Sequence, residues 1–296
     1  MSLASLFRKR RAAPRGRVMH LPDDLLNPTR IATLAGPSGY DVWSSLILAN
    51  SLTGSLPETE VEMIVSVADG DILLLLERPV SVTTYDPDGP KGRICEGPLP
   101  ESEILFVVSE YPDTRLHAVT RAFPDSIRIF TRHDKSANLV LNLGEMPTPS
   151  RMHALARLVG AQPDESWRPS LPREDMARAA SLLSPISGTV LPYLAATERA
   201  SMILRRSAAE LPMRIVITDG RKNPLALQPP LVKAAIIAGA SVVATDDPVQ
   251  WAQASALGIP AIGLDRKASF PTWGTVPSRG AAEFTAAWIE LLGRGW

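Results

Sequence analysis

The chain has little of what builds covalent or metal cross-links. Cys95 is the single cysteine in 296 residues, and the histidines number four. One thiol cannot close a disulfide within the chain or supply a zinc site made of several cysteines. Cys95 stands in Arg93-Ile94-Cys95-Glu96-Gly97 with no histidine nearby, and reads as a loop or partly buried thiol rather than a nucleophile. Such sparing use of cysteine fits a reducing cytoplasm. His20, His117, His133 and His153 do not pair at metal-ligand spacing with one another or with an acidic cluster. His133 reads as part of a solvated turn, and His153 as a structural residue on a helix.

Excess charge is also missing. Lys plus Arg and Asp plus Glu both count 31, so the formal net charge is zero. Nothing at the level of the whole chain points to nucleic acid. No apolar run reaches the ~18 residues that span a bilayer. The longest, such as Ile72 to Leu76, are strand-sized. No Gly-x-Ser-x-Gly elbow supports a Ser-His-Asp hydrolase. The N-terminus has a mildly apolar Met1 to Phe7 followed by Arg8-Lys9-Arg10-Arg11, Arg15 and Arg17. A secretory signal has the opposite order. The first 25 residues read either as a disordered basic tail or as a weak apolar foot with a basic patch for anionic lipid.

What is present is ordinary globular composition: 45% hydrophobic and 21% charged residues. The length suits two domains of roughly 100–200 residues. Arg30 to Leu34 reads as a buried strand ending at Ala35-Gly36-Pro37-Ser38-Gly39. Asp41 to Leu52 follows as a helix, and Val61 to Val67 as a second strand. Strand, turn, helix, strand is a βαβ unit and implies a parallel sheet. Further strands are expected at Ile72 to Leu76, Val80 to Thr84, Glu103 to Val108, Ile127 to Thr131 and Asn138 to Leu143. A surface loop is expected from Asp86 to Pro100 and a helix from Arg151 to Val159. Residues 162–173 hold Pro163, Pro169 and Pro172 and suit an inter-domain linker. The division expected is therefore a tail (1–25), an N-terminal domain (26–161), the linker and a C-terminal domain (174–296).

The second half alternates in the parallel α/β manner. Helices are expected at Glu174 to Leu183, Glu198 to Leu211, Pro229 to Ala238, Pro248 to Leu257 and Ala281 to Leu292. Strands are expected at Thr189 to Leu194, Met213 to Thr218, Ser241 to Thr245 and Ala261 to Leu264. The last helix is a candidate to pack back over the first domain.

Two stretches resemble the ADP-heptose:lipopolysaccharide heptosyltransferase family. The first runs from Arg30 through Gly36-Pro37-Ser38-Gly39-Tyr40-Asp41-Val42-Trp43 to Leu56-Pro57 and Val65. It is similar to that family's opening strand, Gly-rich turn, Gly-Asp helix start and second strand. The other runs from Val242 through Asp246-Asp247-Pro248 and Ala254-Leu257-Gly258-Ile259-Pro260 to Leu264. It resembles the donor-side signature, an Asp-(Ser/Thr)-Gly-Pro-x-His stretch leading into Ala-x-Ala-x-Gly-x-Pro. The helix from Ser150 to Gly160 is similar to the family's stretch before the linker. The resemblance covers most of the chain from Arg30. It implies an α/β, GT-B fold in which two Rossmann-like domains with parallel sheets face a cleft.

In that family a carboxylate at the first helix start is the proposed general base, and the matching residue is Asp41. A glycosyl acceptor hydroxyl must lose a proton as the new bond forms, and a carboxylate on a rigid element can take it. A helix N-terminus stabilises the ionised form and so lowers basicity, and the same residue can simply favour the first helical turn. Tyr40 stands between Gly39 and Asp41, a departure from the family's Gly-Asp pair. Backbone N–H groups between Gly36 and Gly39 can approach an anion, although a tight strand-to-helix turn explains them equally.

On the donor side, Asp247 aligns with the family's aspartate, Val249 with its glycine and Ala252 with its histidine. Valine carries a Cβ where backbone should approach phosphate, and alanine donates no hydrogen bond. The family's phosphate lysine is also missing, because no lysine lies between Lys135 and Lys222. Arg199 can replace it in charge though not in geometry. The remaining donor-side candidates are Lys222, Asp246 and Asp247.

The resemblance thus implies either a glycosyltransferase or an inactive relative. The first moves a sugar from a nucleotide-diphosphate donor to an envelope glycan or lipid-linked acceptor, with no further cofactor. The second keeps the fold as a binding or assembly partner for another protein. In either case the expected location is cytoplasmic, or peripheral at the inner membrane face. The tryptophans, Trp43, Trp251, Trp273 and Trp296 among them, hint at an exposed aromatic contact surface.

Overall fold

The computed structural model describes residues 7–9, 25–88, 101–109, 114–141, 148–187, 193–207 and 214–264, with 282, 286–287 and 289–290. Cys95, His20, Trp273, Trp296 and most of the loop from Asp86 to Pro100 lie outside them, as does most of the expected final helix. The chain divides into two compact units, with the main boundary between Trp167 and Arg168.

The first unit is a seven-stranded sheet in the order β1-β7-β6-β5-β2-β3-β4. Its strands are β1 (Phe7–Lys9), β2 (Arg30–Ala35), β3 (Glu60–Ser66), β4 (Ser81–Tyr85), β5 (Ile104–Val108), β6 (Ile127–Phe130) and β7 (Leu139–Leu141). All neighbours are parallel except β1 and β7. Phe7–Lys9 therefore departs from the expectation of a disordered tail. An unpaired sheet edge offers a row of free N–H and C=O groups, and a three-residue strand satisfies part of it.

The helix α1 (Gly39–Ser55) lies against β2, β3 and β5 and is buried along nearly its whole length. Its apolar residues go all the way round, which suits a helix with no solvent face. The hydroxyls of Ser44, Ser51 and Thr53 are satisfied by donating back to the carbonyls of Tyr40, Ile47 and Ala49. Trp43 is 1% exposed and Trp251 likewise, so neither forms the aromatic surface that composition implied. Both rings fill core volume, which an indole does well when its N–H finds a partner.

Ile72 to Leu76 is not a strand. Val67–Leu75 winds as a 3-10 helix capped by Ser66, whose Oγ accepts from the Ala68 N–H at 3.4 Å. Ile72 and Leu75 are buried while Leu74 is exposed, the three-residue spacing of that helix rather than alternation. A short apolar run alone cannot tell these apart. The helix α2 (Thr114–Thr120) was not expected, and α3 (Thr148–Arg157) was.

The second unit has α4 (Arg173–Ser187), β8 (Tyr193–Ala196), α5 (Glu198–Ser207), β9 (Arg214–Ile217), α6 (Pro230–Ala238), β10 (Val242–Thr245), α7 (Pro248–Leu257) and β11 (Ala261–Gly263). The strands form a parallel four-stranded sheet ordered β11-β10-β8-β9. Leu194, Ala196, Val242, Ala244 and Ile262 join Ala200 and Leu204 of α5 in its core.

Gly258 ends α7 in the left-handed region at φ 74°. A Cβ there would lie 3.0 Å from Arg168 Cδ and closer still to Nε. Gly258→Ala is therefore expected to destabilise the fold by roughly 1–2 kcal/mol from backbone conformation alone. Arg168→Ala in the same background should recover only the steric part. Urea unfolding of Gly258→Ala, Arg168→Ala and the double variant measures both contributions.

Candidate functional site

In an open parallel sheet, ligands bind beyond the carboxyl ends of strands, where the chain switches from winding one way to winding the other. In the first sheet β2 leads through α1 to β3 on one side, and the chain later returns to place β5 on the other side of β2. The switch therefore lies between β2 and β5, which pair from Ile31 with Ile104 to Ala35 with Val108. Gly36 and Ser109 are the first residues beyond these strand ends. The Gly36 N–H donates to the Val108 carbonyl at 2.8 Å, which extends the ladder by one rung.

Asp41 is held at this point. Ser38 is the N-cap of α1, and its Oγ accepts from the Asp41 N–H at 3.2 Å. The same hydroxyl donates to Asp41 Oδ2 at 2.7 Å. The N-cap hydroxyl is thus tied to both the N–H and the carboxylate of Asp41. The carboxylate folds back over Gly36. A Cβ at Gly36 would lie 2.9 Å from Asp41 Cγ, nearer still to Oδ2, and 3.1 Å from Ser109 Oγ. The glycine at position 36 is thus needed for side-chain room. Asp41 is 2% exposed. Gly39 is the first residue of α1 and half-buried.

The second sheet has the same construction. β8 leads through α5 to β9 on one side, and β10 then pairs with the other side of β8. Beyond these ends the Thr197 N–H donates to the Ala244 carbonyl at 3.0 Å, and the Asp246 N–H to Thr197 Oγ1 at 3.4 Å. Arg199, on the first turn of α5, places Nη1 3.6 Å from Asp246 Oδ2. Asp247 caps α7: its Oδ1 accepts from the Val249 N–H at 2.9 Å, and its own N–H donates to Thr245 Oγ1 at 2.9 Å. Ala252 is in the core. Arg199, Asp246 and Asp247 are therefore gathered at one switch point, and Gly36 and Asp41 at the other. Lys222 instead stands exposed on the turn after β9.

Asp219, Lys233 and the His117–Asp134 pair make interactions that the sequence did not assign. Asp219 accepts from the Glu198 N–H through Oδ1 at 2.6 Å, so it caps α5 from the next strand's end. Lys233 of α6 acts electrostatically on Asp247. In the first unit, His117 of α2 meets Asp134 Oδ2 at 2.7 Å. Burial pushes the Asp134 carboxyl up, but the Ser136 hydroxyl and N–H together with His117 outweigh it and hold it below its ordinary value. The i, i+3 and i, i+7 spacing of Leu116, Val119 and Phe123, all buried, was the available signal for α2.

Burial raises the Asp247 carboxyl above its ordinary value. The Val249 N–H opposes this, the charges of Asp246 and Asp219 add to it, and Lys233 opposes it. A raised folded-state value means that, as pH falls, the folded chain takes up this proton before the unfolded chain does. Acidification through that range thus relieves a cost present at neutral pH. Asp247→Asn keeps a cap acceptor and removes the cost. Its stability relative to the parent should be highest at pH 7 and should shrink as the pH falls toward about 4, the ordinary carboxylate range. Urea midpoints at the two values test this, and a pH-independent difference would contradict it.

No protein-family profile matches the sequence, and no curated protein does. Solved structures do match in fold. ADP-heptose lps heptosyltransferase II from E. coli is 12% identical with a TM-score of 0.54, over 90% of this chain and 98% of that one. E. coli heptosyltransferase WaaC, solved with ADP-2-deoxy-2-fluoro heptose, is 12% identical with a TM-score of 0.54, over 90% of this chain and 100% of that one. A glycosyl transferase family 9 protein from Veillonella parvula is 13% identical with a TM-score of 0.53, over 87% and 85%. The chain has the two-sheet α/β fold of these GT-B glycosyltransferases.

Proposed function

We propose that the chain is a glycosyltransferase of the heptosyltransferase type, moving a sugar from a nucleoside-diphosphate donor to a hydroxyl of an envelope glycan or lipid-linked acceptor. The observation that carries this reading is the placement of Asp41. In a chain with the heptosyltransferase fold, the carboxylate sits at the switch point of the first sheet, over a glycine that leaves room for it. Fold alone does not choose a reaction, so the weight rests on this residue.

In this reading Asp41 takes the acceptor proton as the glycosidic bond forms. Its burial makes access part of the mechanism: the turn from Gly36 to Gly39 has to yield before a hydroxyl reaches the carboxylate. At the second switch point Arg199 is the cation for the donor's diphosphate, with Asp246 and Asp247 beside it. The basic residues before Arg17 would serve a peripheral position on the inner membrane face. Among the described residues no helix is long and apolar enough to cross a membrane.

The test is release of nucleoside diphosphate from an ADP-heptose donor by the full chain, with and without a lipopolysaccharide-core acceptor. Acceptor-dependent release is expected. Failure of the full chain to bind ADP or the ADP-sugar at millimolar concentration would remove the transferase reading. An inactive binding relative would then be left standing.

A further inference from the structure

We propose that Asp246 is an internal stand-in for a ligand phosphate, pairing with Arg199 at the second sheet's switch point so that a diphosphate binds there only by displacing it. The proposal rests on the donor reading of that site and adds how its occupancy is set.

The first observation is the position of the arginine. Arg199 is the second residue of α5 (Glu198–Ser207). The first turn of a helix favours anions and disfavours cations, so the local sequence rule is broken here. Such a break needs a compensating anion from elsewhere, and breaks of this kind concentrate at functional sites.

Asp246 supplies that anion, but loosely. Its Oδ2 lies 3.6 Å from Arg199 Nη1, an ion pair too long for a good hydrogen bond. Arg199 Nη1 is buried and has no hydrogen-bond partner among the described residues. A buried guanidinium N–H left in this state is costly, and an acceptor oxygen at normal distance would relieve the cost. The Arg199 side chain is 40% exposed, while its Nη1 is buried.

Three of the backbone donors that a phosphate would seek at this edge are already used. The Glu198 N–H donates to Asp219, the Ala200 N–H to Thr197 Oγ1, and the Val249 N–H to Asp247. At both helix starts that follow β8 and β10, first-turn N–H groups are thus held by the chain's own oxygens. Arg199 and Lys233 are the cations described at this edge, and Asp246 stands against the arginine. An incoming diphosphate offers paired oxygens that the planar guanidinium fork can bind bidentately. It must also overcome the repulsion of Asp246, with Asp219 and Asp247 close behind.

The experiment is calorimetric titration of the full chain with inorganic pyrophosphate and with ADP, at one fixed salt concentration. The parent is compared with Asp246→Asn, Arg199→Gln and the double variant, each first checked for an unchanged thermal unfolding midpoint. A variant that fails that check is replaced by Asp246→Ser or Arg199→Lys. Asp246→Asn is expected to bind both probes at least tenfold more tightly than the parent. Adding Arg199→Gln should cancel that gain. Parent binding with no tightening in Asp246→Asn overturns the stand-in and leaves the donor site intact. A gain that survives Arg199→Gln also overturns it, since the gain then comes from charge removal in general. Absence of binding in every variant overturns both the stand-in and the donor reading.

Discussion

Asp41→Asn is expected to lower acceptor-dependent transfer by about 10²–10⁴-fold, the usual contribution of a positioned general base. The substitution separates chemistry from structure. An asparagine oxygen can still accept from Ser38 Oγ, and the backbone N–H at position 41 still donates to that hydroxyl, so both halves of the cap persist. The amide cannot take a proton. Stability should therefore stay within about 1 kcal/mol of the parent, below the cost of losing a cap outright. Rate and thermal midpoint measured on the same preparation decide the matter. Full retention of activity in Asp41→Asn ends the base assignment. Loss of both activity and fold would return Asp41 to the role of a cap.

Gly36→Ala should damage both properties together. The added methyl would lie 2.9 Å from Asp41 Cγ and 3.1 Å from Ser109 Oγ. The backbone cannot retreat easily, because the Gly36 N–H is tied to the Val108 carbonyl at 2.8 Å. The carboxylate has to swing away instead. Overpacking of this kind costs roughly 1–3 kcal/mol, and the displaced base should reduce turnover as far as Asp41→Asn does. The pair offers an internal control. If the clash is the cause, Asp41→Ala combined with Gly36→Ala is more stable than the separate effects predict, since the methyl then meets an empty space. Strict additivity of the unfolding free energies would show that Gly36 matters for some other reason.

Much of the local architecture was legible in residue order. The spacing around Arg30 to Leu34 and Val61 to Val67 located β2 and β3 within a residue or two. The helix expected from Pro248 to Leu257 coincides with α7, and the one expected from Asp41 lies within α1. These signals are local: a cap or a left-handed terminus involves neighbours in the chain. The apolar run at Ile72 to Leu76 was misleading because a strand and a 3-10 turn bury similar short runs. Trp43 and Trp251 misled in another way. Type alone does not say whether an indole faces core or solvent, and here both are core.

Residue pattern by itself determined that this is a parallel α/β chain, where most of its helices lie, and that Asp41 falls in the first turn of α1; α2 came only with the structure. Only the tertiary structure decided that β5 returns to the far side of β2 and β10 to the far side of β8. Those pairings bring Gly36 beside Ser109 and Arg199 beside Asp246. The reason is that strand order arises from burial shared among distant segments. The periodicity of one segment records which face is apolar and says nothing of which strand lies next to it.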